Sequence, residues 1–351
     1  MKTCLLLALA ISTVPVVACS SDVQGPGGGG APKSGGASGS SGGTSGGTSG
    51  GTSGGGSSGT PVETGTWENG KTLSASVNIV TGATVTIAPG ATITCATGVA
   101  ITVAGTLKVA SVAPAHAKIT CPAWTGIIVD KGGTLDVDGL DLENAGTALH
   151  IMGGNADAKF NSGKIVASGS PFNLETGSKL STSHSTVTAK GMSKINGAFT
   201  ASYLTYDKGR AEGLAMADPD ASMFIEDSRL TGQGSGDYLI SNSGKLVHVA
   251  YSEVSGSHCP FHFDALTKFE IDHVSAKSNE YGSMIYNDET GPHTISYSNF
   301  EQNAKHDVEQ TGRNANVTLD HVYLGSNNSV HVGVWMESSP QNAPVMGTGP
   351  R

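Results

Sequence analysis

The stretch WTGIIVDKGGTLDVDGLDL, residues 124–142, decides how this chain folds. Within it Leu135 and Val137 alternate with aspartates, and after a short break Leu140 and Leu142 alternate with Asp141. Successive side chains of a strand point to opposite faces, so the pattern predicts two short, half-buried strands joined at a bend.

The same two-strand unit recurs along the chain, with 19 to 25 residues between successive starts. The later units start at Phe160, Leu180, Phe199, Met223, Val247, Phe269, His293 and Val317. An apolar-any-apolar motif, such as Phe261 and Phe263, follows most bends and predicts a further strand in each repeat. Nothing between the strands has helical spacing, so the repeat predicts an all-β solenoid rather than a leucine-rich repeat.

These repeats, together with GATVTIAPGATITC at residues 82–95 and AGTLKVAS at residues 104–111, resemble the right-handed parallel β-helix, or pectin-lyase-like, superfamily. The resemblance implies a single parallel β-helix domain, here expected over residues 61–336. It implies no single function, because the scaffold serves lyases, hydrolases, adhesins and passive stalks.

The first residues have the layout of an export signal, with Lys2, an apolar run at residues 5–17 and Cys19. The motif VVAC at residues 16–19 resembles the lipobox of bacterial lipoproteins. That resemblance implies that residues 1–18 are removed and that Cys19 is acylated, giving a lipid anchor in a membrane. By the same resemblance, Ser20 after the cysteine favours the outer membrane.

Residues 19–60 are mostly Gly, Ser and Thr, and such a tract buries too little apolar surface to order itself. As a coil, the roughly 36 residues of its low-complexity part span on the order of 30–36 Å. We therefore expect a disordered spacer between the anchor and the solenoid. Residues 337–351 are expected to form a flexible C-terminal tail.

The charge balance bears on the partners of the protein. Charged residues make up 14% of the chain and the net charge is −9. A nucleic-acid-binding domain needs a basic surface, so nucleic acid is not an expected partner.

The cysteines divide into a pair and a single residue. Cys95 and Cys121 follow the similar sequences ATIT and AKIT, close to one repeat apart. Equivalent positions on neighbouring turns lie about 4.8 Å apart, which is compatible with a disulfide; two stacked thiols are the alternative. Cys259 shares its strand parity with the phenylalanines that follow, so we expect an inert core thiol.

One outward-facing stripe on the third strand of each repeat collects the residue types that do acid–base chemistry. Its candidate catalytic residues are His262, Asp264, Asp307 and Glu309, and its candidate binding residues are Asn242, Asn287 and His331. Asp264 and Glu309 are two turns apart, about 9–10 Å, close to the carboxylate separation of inverting glycoside hydrolases. The alternative is an ordinary solvated strand face.

The signatures of the enzymes in the superfamily are missing. No Arg-bearing pectate-lyase signature follows the acidic repeats, and the polygalacturonase motifs are absent. No catalytic residue of those enzymes is therefore carried over to this chain.

The fifth residue of each unit stands at the bend, where a left-handed backbone favours Asn, Asp or His. This column predicts a stacked ladder, and a strip that binds carbohydrate or metal is the alternative. It consists of His184, Tyr203, Asp227, Tyr251, His273, Tyr297 and His321.

Two groups of residues suggest metal ions. Asp136, Asp138 and Asp141 form an oxygen-rich set that suits calcium, with a solvated face as the alternative. His258 and His262, with Asp264, carry zinc-ligand chemistry without a strong spacing signature.

Taken together, the sequence predicts an outer-membrane lipoprotein that displays its β-helix as a binding or structural surface, toward polysaccharide. One alternative is a polysaccharide lyase or glycoside hydrolase that uses outward carboxylates. Another is an adhesin or self-associating stalk.

Overall fold

A computed structural model describes residues 60–111, 114–209, 213–286, 291–310, 316–325, 330–331, 335–337, 341 and 343–351. Within these ranges the chain forms a parallel β-solenoid without any helix. Apart from the pairings made around β23 and β24, each strand pairs in parallel with the strand three places later, so every turn contributes one strand or strand segment to each of three sheets. The predicted all-β parallel solenoid is thereby confirmed. None of the described segments is a helix long and apolar enough to cross a membrane.

Sheet A contains the first strand of each repeat. Its separate strands are β1 Gly65–Trp67, β4 Thr84–Ile87, β7 Thr106–Ala110, β10 Thr134–Asp138, β13 Asp157–Asn161, β16 Lys179–Ser183, β19 Ala198–Ser202, β22 Ser222–Glu226, β27 His293–Ser296, β30 Val317–Asp320 and β33 Trp335–Glu337.

Sheet B follows the bend. Its separate strands are β2 Thr72–Leu73, β5 Thr92–Cys95, β8 Ala117–Trp124, β11 Leu140–Ala145, β14 Lys164–Val166, β17 Thr186–Ala189, β20 Thr205–Lys208, β25 Ser275–Lys277, β28 Asn299–Glu301 and β31 Tyr323–Leu324.

Sheet C completes each turn. Its separate strands are β3 Val77–Ile79, β6 Ala100–Val103, β9 Gly126–Val129, β12 Thr147–Ile151, β15 Ser170–Leu174, β18 Ser193–Ile195, β21 Leu214–Met216, β26 Met284–Ile285, β29 Val308–Gln310 and β32 Val330–His331. Two long strands, β23 Arg229–Ala250 and β24 Glu253–Asp272, run through sheets B, C and A in turn.

The core is a continuous column of apolar side chains inside the three sheets. Leu135, Val137, Leu140 and Leu142 are all at most 1% exposed, as the alternation predicted. Neighbouring turns place similar residues in register, for example Val137 against Phe160. Because each turn contacts mainly the turns beside it, the fold is stabilised locally along its whole length.

The bend between sheets A and B has positive φ in every repeat from Ser162 onward, and φ lies between 44° and 53° across the predicted ladder from His184 to His321. The predicted ladder is confirmed, with His184 stacked on Tyr203 at 4.6 Å and Tyr297 on His321 at 4.8 Å between ring centroids. Where a serine follows the ladder residue, its hydroxyl ties neighbouring bends together. Ser228 Oγ, for instance, accepts a hydrogen bond from the Leu204 amide at 3.0 Å.

The turn after sheet B contains a buried hydrogen-bonded asparagine pair. Asn279 accepts from the Ser257 amide and donates to the Asn303 side chain at 3.2 Å. Asn303 in turn donates to Asp307 Oδ1 at 2.8 Å. These contacts satisfy backbone groups that the sharp turn removes from the ladder of strand hydrogen bonds.

Residues 343–351, predicted as part of a flexible tail, make specific contacts with the solenoid. The side chain of Asn299 accepts from the Val345 amide at 2.7 Å and donates to the Val345 carbonyl at 3.0 Å. The Gly349 amide donates to the His273 carbonyl at 3.0 Å. Sequence periodicity does not predict these contacts, because the segment runs across the turns and carries no strand alternation.

Candidate functional site

The outward row of sheet C is defined by the strand register. His262 pairs with Ser241 on one side and Met284 on the other, and Met284 pairs with Glu309, which pairs with His331. By this register His262 and Glu309 share one row, and the backbone of His331 pairs with Glu309 in the following turn. His262 and Glu309 are separated by two turns, which corresponds to about 9–10 Å.

The register differs by one residue from the prediction in two turns. Asn242 pairs with Met216 and Phe263, which are both buried, whereas Ser241 pairs with His262. The reason is that Ile240, completely buried, takes the core position between Leu214 and Phe261. A shift of one residue exchanges the two faces of a strand.

The same shift occurs at β26. The apolar-any-apolar motif of this turn is Met284 and Tyr286, which predicts that both point inward. Ile285 is instead fully buried and pairs with Phe263, while Tyr286 is 36% exposed. Asn287, the other predicted binding residue of this turn, lies outside the described residues.

Asp307 does not belong to the outward face. It is 0% exposed, and its Oδ1 accepts the hydrogen bond from Asn303, while Oδ2 is buried and has no hydrogen-bond partner in the described part of the chain. The residue precedes β29 and sits inside the turn, so strand alternation does not apply to it. Burial raises the pKa of its carboxyl group. Asp307 is therefore a structural residue of the turn and not a partner for Glu309.

His262 is the centre of an aromatic group. Its ring stacks on Tyr238 at 3.9 Å between centroids and lies 5.1 Å from the ring of Tyr286. The side chain is 13% exposed, and Nε2 is 3.3 Å from Asp264 Oδ1. Its Nδ1 is buried, and no hydrogen-bond partner for it lies among the residues that the structure describes.

Asp264 reaches His262 because the strand bulges. The pairing of β23 with β24 shifts after Asn242, so Asp264 has no opposite residue and Ser243 pairs with Ala265. Bulges re-aim side chains, and this one leaves the Asp264 side chain 54% exposed beside the histidine.

A second group of polar rings continues the same surface toward the turn after sheet B. His258 Nδ1 lies 2.6 Å from Glu280, and its ring contacts the edge of Tyr281 at 5.2 Å. Lys305 Nζ lies 2.5 Å from Glu280 and 5.0 Å from the centre of the Tyr281 ring. The ring of His306 is 5.7 Å from that of Tyr281.

We call this region the histidine–tyrosine surface. It consists of Tyr238, His258, His262, Asp264, Glu280, Tyr281, Tyr286, Lys305, His306 and Glu309.

Neighbouring charged groups and burial determine the protonation state of Glu280 and Tyr286 in the histidine–tyrosine surface. The Lys305 ammonium and then the His258 ring lower the pKa of Glu280, so that carboxylate is held in its charged form. Burial and then the charge of Glu309 raise the pKa of Tyr286 to about 12. Tyr286 is therefore a neutral hydroxyl at physiological pH, able to donate and accept hydrogen bonds.

Cys259 lies under this surface but is not reactive. It is fully buried, its thiol donates to the Phe261 carbonyl at 2.7 Å, and burial raises its pKa well above the usual value. A thiol that stays protonated is a poor nucleophile.

The predicted metal sites do not form among the residues that the structure describes, where no group of three or more His, Cys, Asp or Glu side chains is arranged to hold a metal ion. Asp136 and Asp138 project from sheet A, whereas Asp141 lies on sheet B and contacts His116 and the Lys164 amide, each at 3.1 Å. In the zinc candidate, His258 is paired with Glu280 instead of joining His262 and Asp264.

Cys95 and Cys121 form a disulfide between neighbouring turns, with their Cα atoms 5.0 Å apart. Cys19, the predicted site of lipidation, lies outside the described residues, as do the signal peptide and most of the linker.

Sequence reasoning missed most aromatic members of the surface. Tyr238, His262 and Tyr286 are spaced 24 residues apart, and His258, Tyr281 and His306 follow a similar interval. This interval is close to the length of one solenoid turn, so it places the rings beside one another on successive turns. The interval equals the length of the repeat only when the residues in turns and bulges are counted.

Comparisons with known proteins found no matching family model, no matching curated protein and no matching solved structure. The class of protein that the fold defines is therefore a parallel β-solenoid, and its function is argued from its own residues.

Proposed function

We propose that the protein is a polysaccharide-binding module whose solenoid presents the histidine–tyrosine surface to an extended glycan. The observation that carries the proposal is the group around His262, where two tyrosine rings flank a histidine that lies beside the exposed carboxylate of Asp264. Aromatic rings with polar tips supply apolar contact area together with hydrogen bonds, which is what a sugar ring requires.

The polar members of the surface support the same ligand class. Asp264, Glu280 and Lys305 provide charged acceptors and donors beside the rings, and hydrogen bonds to charged groups are the stronger ones. These residues come from successive turns, so they follow one another along the solenoid. Such a row suits a polymer better than a compact ligand.

The proposal includes the predicted anchoring. A lipid on Cys19 and a spacer over residues 19–60 would hold the solenoid near the outer membrane of a bacterial cell while leaving its surface accessible. The Gly, Ser and Thr composition of the spacer supports this arrangement.

The experiment is affinity electrophoresis of the purified protein in gels that contain acidic or neutral polysaccharides. We expect retardation by at least one polymer, and we expect Tyr286→Ala to weaken it by about 1–3 kcal/mol, the usual cost of removing a central aromatic contact. Phe224→Ala is the matched control, because Phe224 is an aromatic residue of sheet A with 38% exposure. Equal retardation of parent and Tyr286→Ala would contradict the proposal.

An enzyme is the second candidate, and the contact between His262 and Asp264 supports it. Asp264, whose side chain is 54% exposed beside the imidazole, would serve as the general base, and Glu309 in the same row as His262 would serve as the acid. The test is to incubate the protein with the same polymers and measure unsaturated products and new reducing ends. Products that disappear in the Asp264→Ala, Glu309→Ala double variant would establish the enzyme. Neither products nor retardation would instead favour an adhesin or stalk.

A further inference from the structure

The ladder at the bend between sheets A and B is interrupted at one position. Tyr203 precedes Asp227 by one turn and Tyr251 follows it by one turn, so a carboxylate stands where the neighbouring turns carry rings. The Asp227 side chain is only 4% exposed. A buried carboxylate is costly unless a cation or several donors compensate it.

The compensating cation is Arg351. Its Nε donates to Asp227 Oδ1 at 2.9 Å and its Nη2 donates to Oδ2 at 3.0 Å, which is a two-pronged contact between guanidinium and carboxylate. The backbone amide of Arg351 also donates to Oδ1, at 3.2 Å. Its Cζ lies 3.7 Å from the centre of the Tyr251 ring. The flat guanidinium therefore takes the place that a ring occupies in the other turns.

The rest of the tail segment, residues 343–351, is recognised through its backbone. Asn299 is 5% exposed and bonds both the amide and the carbonyl of Val345, and its Nδ2 also donates to Thr348 Oγ1 at 2.9 Å. The Gly349 amide bonds the His273 carbonyl. These contacts bind the backbone of an extended segment and do not depend on its apolar side chains. Asp227, in contrast, binds one particular side chain, that of Arg351.

A lysine would not fill this position equally well. The Asp227 carboxylate is bonded through both oxygens and the ring of Tyr251 is covered by a planar group, and only arginine combines a fork of donors with a flat, stacking cation.

We propose that Asp227, Tyr251 and Asn299 form a binding site for an extended peptide that carries an arginine, and that the tail segment is the occupant supplied by the same chain. The site is distinct from the histidine–tyrosine surface, and it does not depend on the proposed binding of polysaccharide. When Arg351 is absent, the site accepts an arginine side chain from another molecule.

The experiment uses the full chain with Arg351→Ala, which vacates the guanidinium position, and N-acetylarginine amide as the probe in an NMR or calorimetric titration. We expect the variant to bind the probe roughly ten- to a hundredfold more tightly than the parent protein does, because hydrogen bonds between charged groups contribute about 1.5–3 kcal/mol. N-acetyllysine amide is the matched probe and should bind more weakly.

The double variant Asp227→Asn, Arg351→Ala is the control for the site. It should lose the gained affinity, and equal binding by the single and double variants, or by the variant and the parent, would overturn the proposal. If Arg351→Ala does not fold, Arg351→Lys preserves the charge. It should then bind a labelled synthetic peptide of residues 343–351 more tightly than the parent does, and failure to do so would overturn the proposal equally.

Discussion

At the scale of single residues, side chains with the same predicted orientation differ in their burial in the structure. Asp264, Asp307 and Glu309 all looked like outward carboxylates, yet Asp307 is completely buried and Asp264 is exposed at a bulge. This difference in burial comes from local backbone geometry, because Asp307 lies in a turn and Asp264 lies in a bulge. Alternation predicts the face only of residues inside regular strands.

Substitution of Asp307 should stabilise the protein at neutral pH. Its pKa is raised in the folded state, so the folding free energy it contributes is present below the unfolded pKa and is lost as the pH rises through the folded pKa. In Asp307→Asn the side chain cannot ionise, so the stability that ionisation costs at neutral pH is recovered. The amide oxygen still accepts the hydrogen bond from Asn303. We expect a higher melting temperature than the parent at pH 7, with the difference shrinking in acid. A variant that melts below the parent at pH 7 would contradict this account of the turn.

The stability of the protein should depend strongly on which side chain stands at the bend position. His273 has φ of +52°, which costs a β-branched residue more than an asparagine. Both His273→Asn and His273→Val lose the ring stacking, so their difference isolates the backbone strain. We expect the valine variant to be less stable by about 1–2 kcal/mol in urea unfolding. Thr294→Val, at a regular strand position in sheet A, is the control for introducing valine and should cost little.

At the scale of the elements, the three sheets and their register could be foreseen better than the site. The repeat spacing locates sheets A and B because Leu180 and its equivalents in the later turns fill the core. The exception is the second unit, where Leu135 pairs with Ala158 and not with the predicted Phe160. The register of sheet C is less predictable, since the turn before it varies in length. The alignment at Leu239, Ile240 and Ser241 depends on which apolar residue takes the core position of the strand. Leu239 and Ile240 are adjacent and both buried, so the sequence alone does not distinguish them.

The disulfide should act on the turns it joins rather than on the whole solenoid. Cys95 and Cys121 close a loop with a sequence separation of 26 residues, for which chain entropy predicts up to about 3.5 kcal/mol. Because turns contact mainly their neighbours, Cys95→Ser with Cys121→Ser should speed amide exchange in β5 and β8 and leave β27 and β30 unchanged. Hydrogen–deuterium exchange measures both regions at once, and a uniform increase would contradict local stabilisation.

At the scale of the whole molecule, pairs of charges link neighbouring turns, and one pair links the tail segment to the solenoid. Glu143 contacts Lys118 at 2.8 Å, Glu280 contacts Lys305 at 2.5 Å, and Asp227 contacts Arg351 at 2.9 Å. Each partner lowers the pKa of its carboxylate. The pairs repeat along the axis, so their effects add up across the solenoid even though each exposed pair contributes little.

The solenoid should therefore become less stable in acid. Carboxylates with lowered folded pKa values stabilise the fold above their unfolded pKa, and this contribution is lost as the pH falls through the folded values. We expect the melting temperature to decrease as the pH drops below about 4.5, the ordinary value for glutamate. Glu280→Gln should flatten that decrease, and an unchanged pH profile in this variant would argue against the pair.

The central claim is that the histidine–tyrosine surface binds an extended glycan. Its most direct test is hydrogen–deuterium exchange of the full protein with and without the polysaccharide that retards it most strongly. We predict slower exchange in peptides that cover His258–Phe263 and Glu280–Tyr286, with no change in β4, β7 or β10. Protection confined to other turns, or no polysaccharide that changes exchange anywhere, would contradict the account.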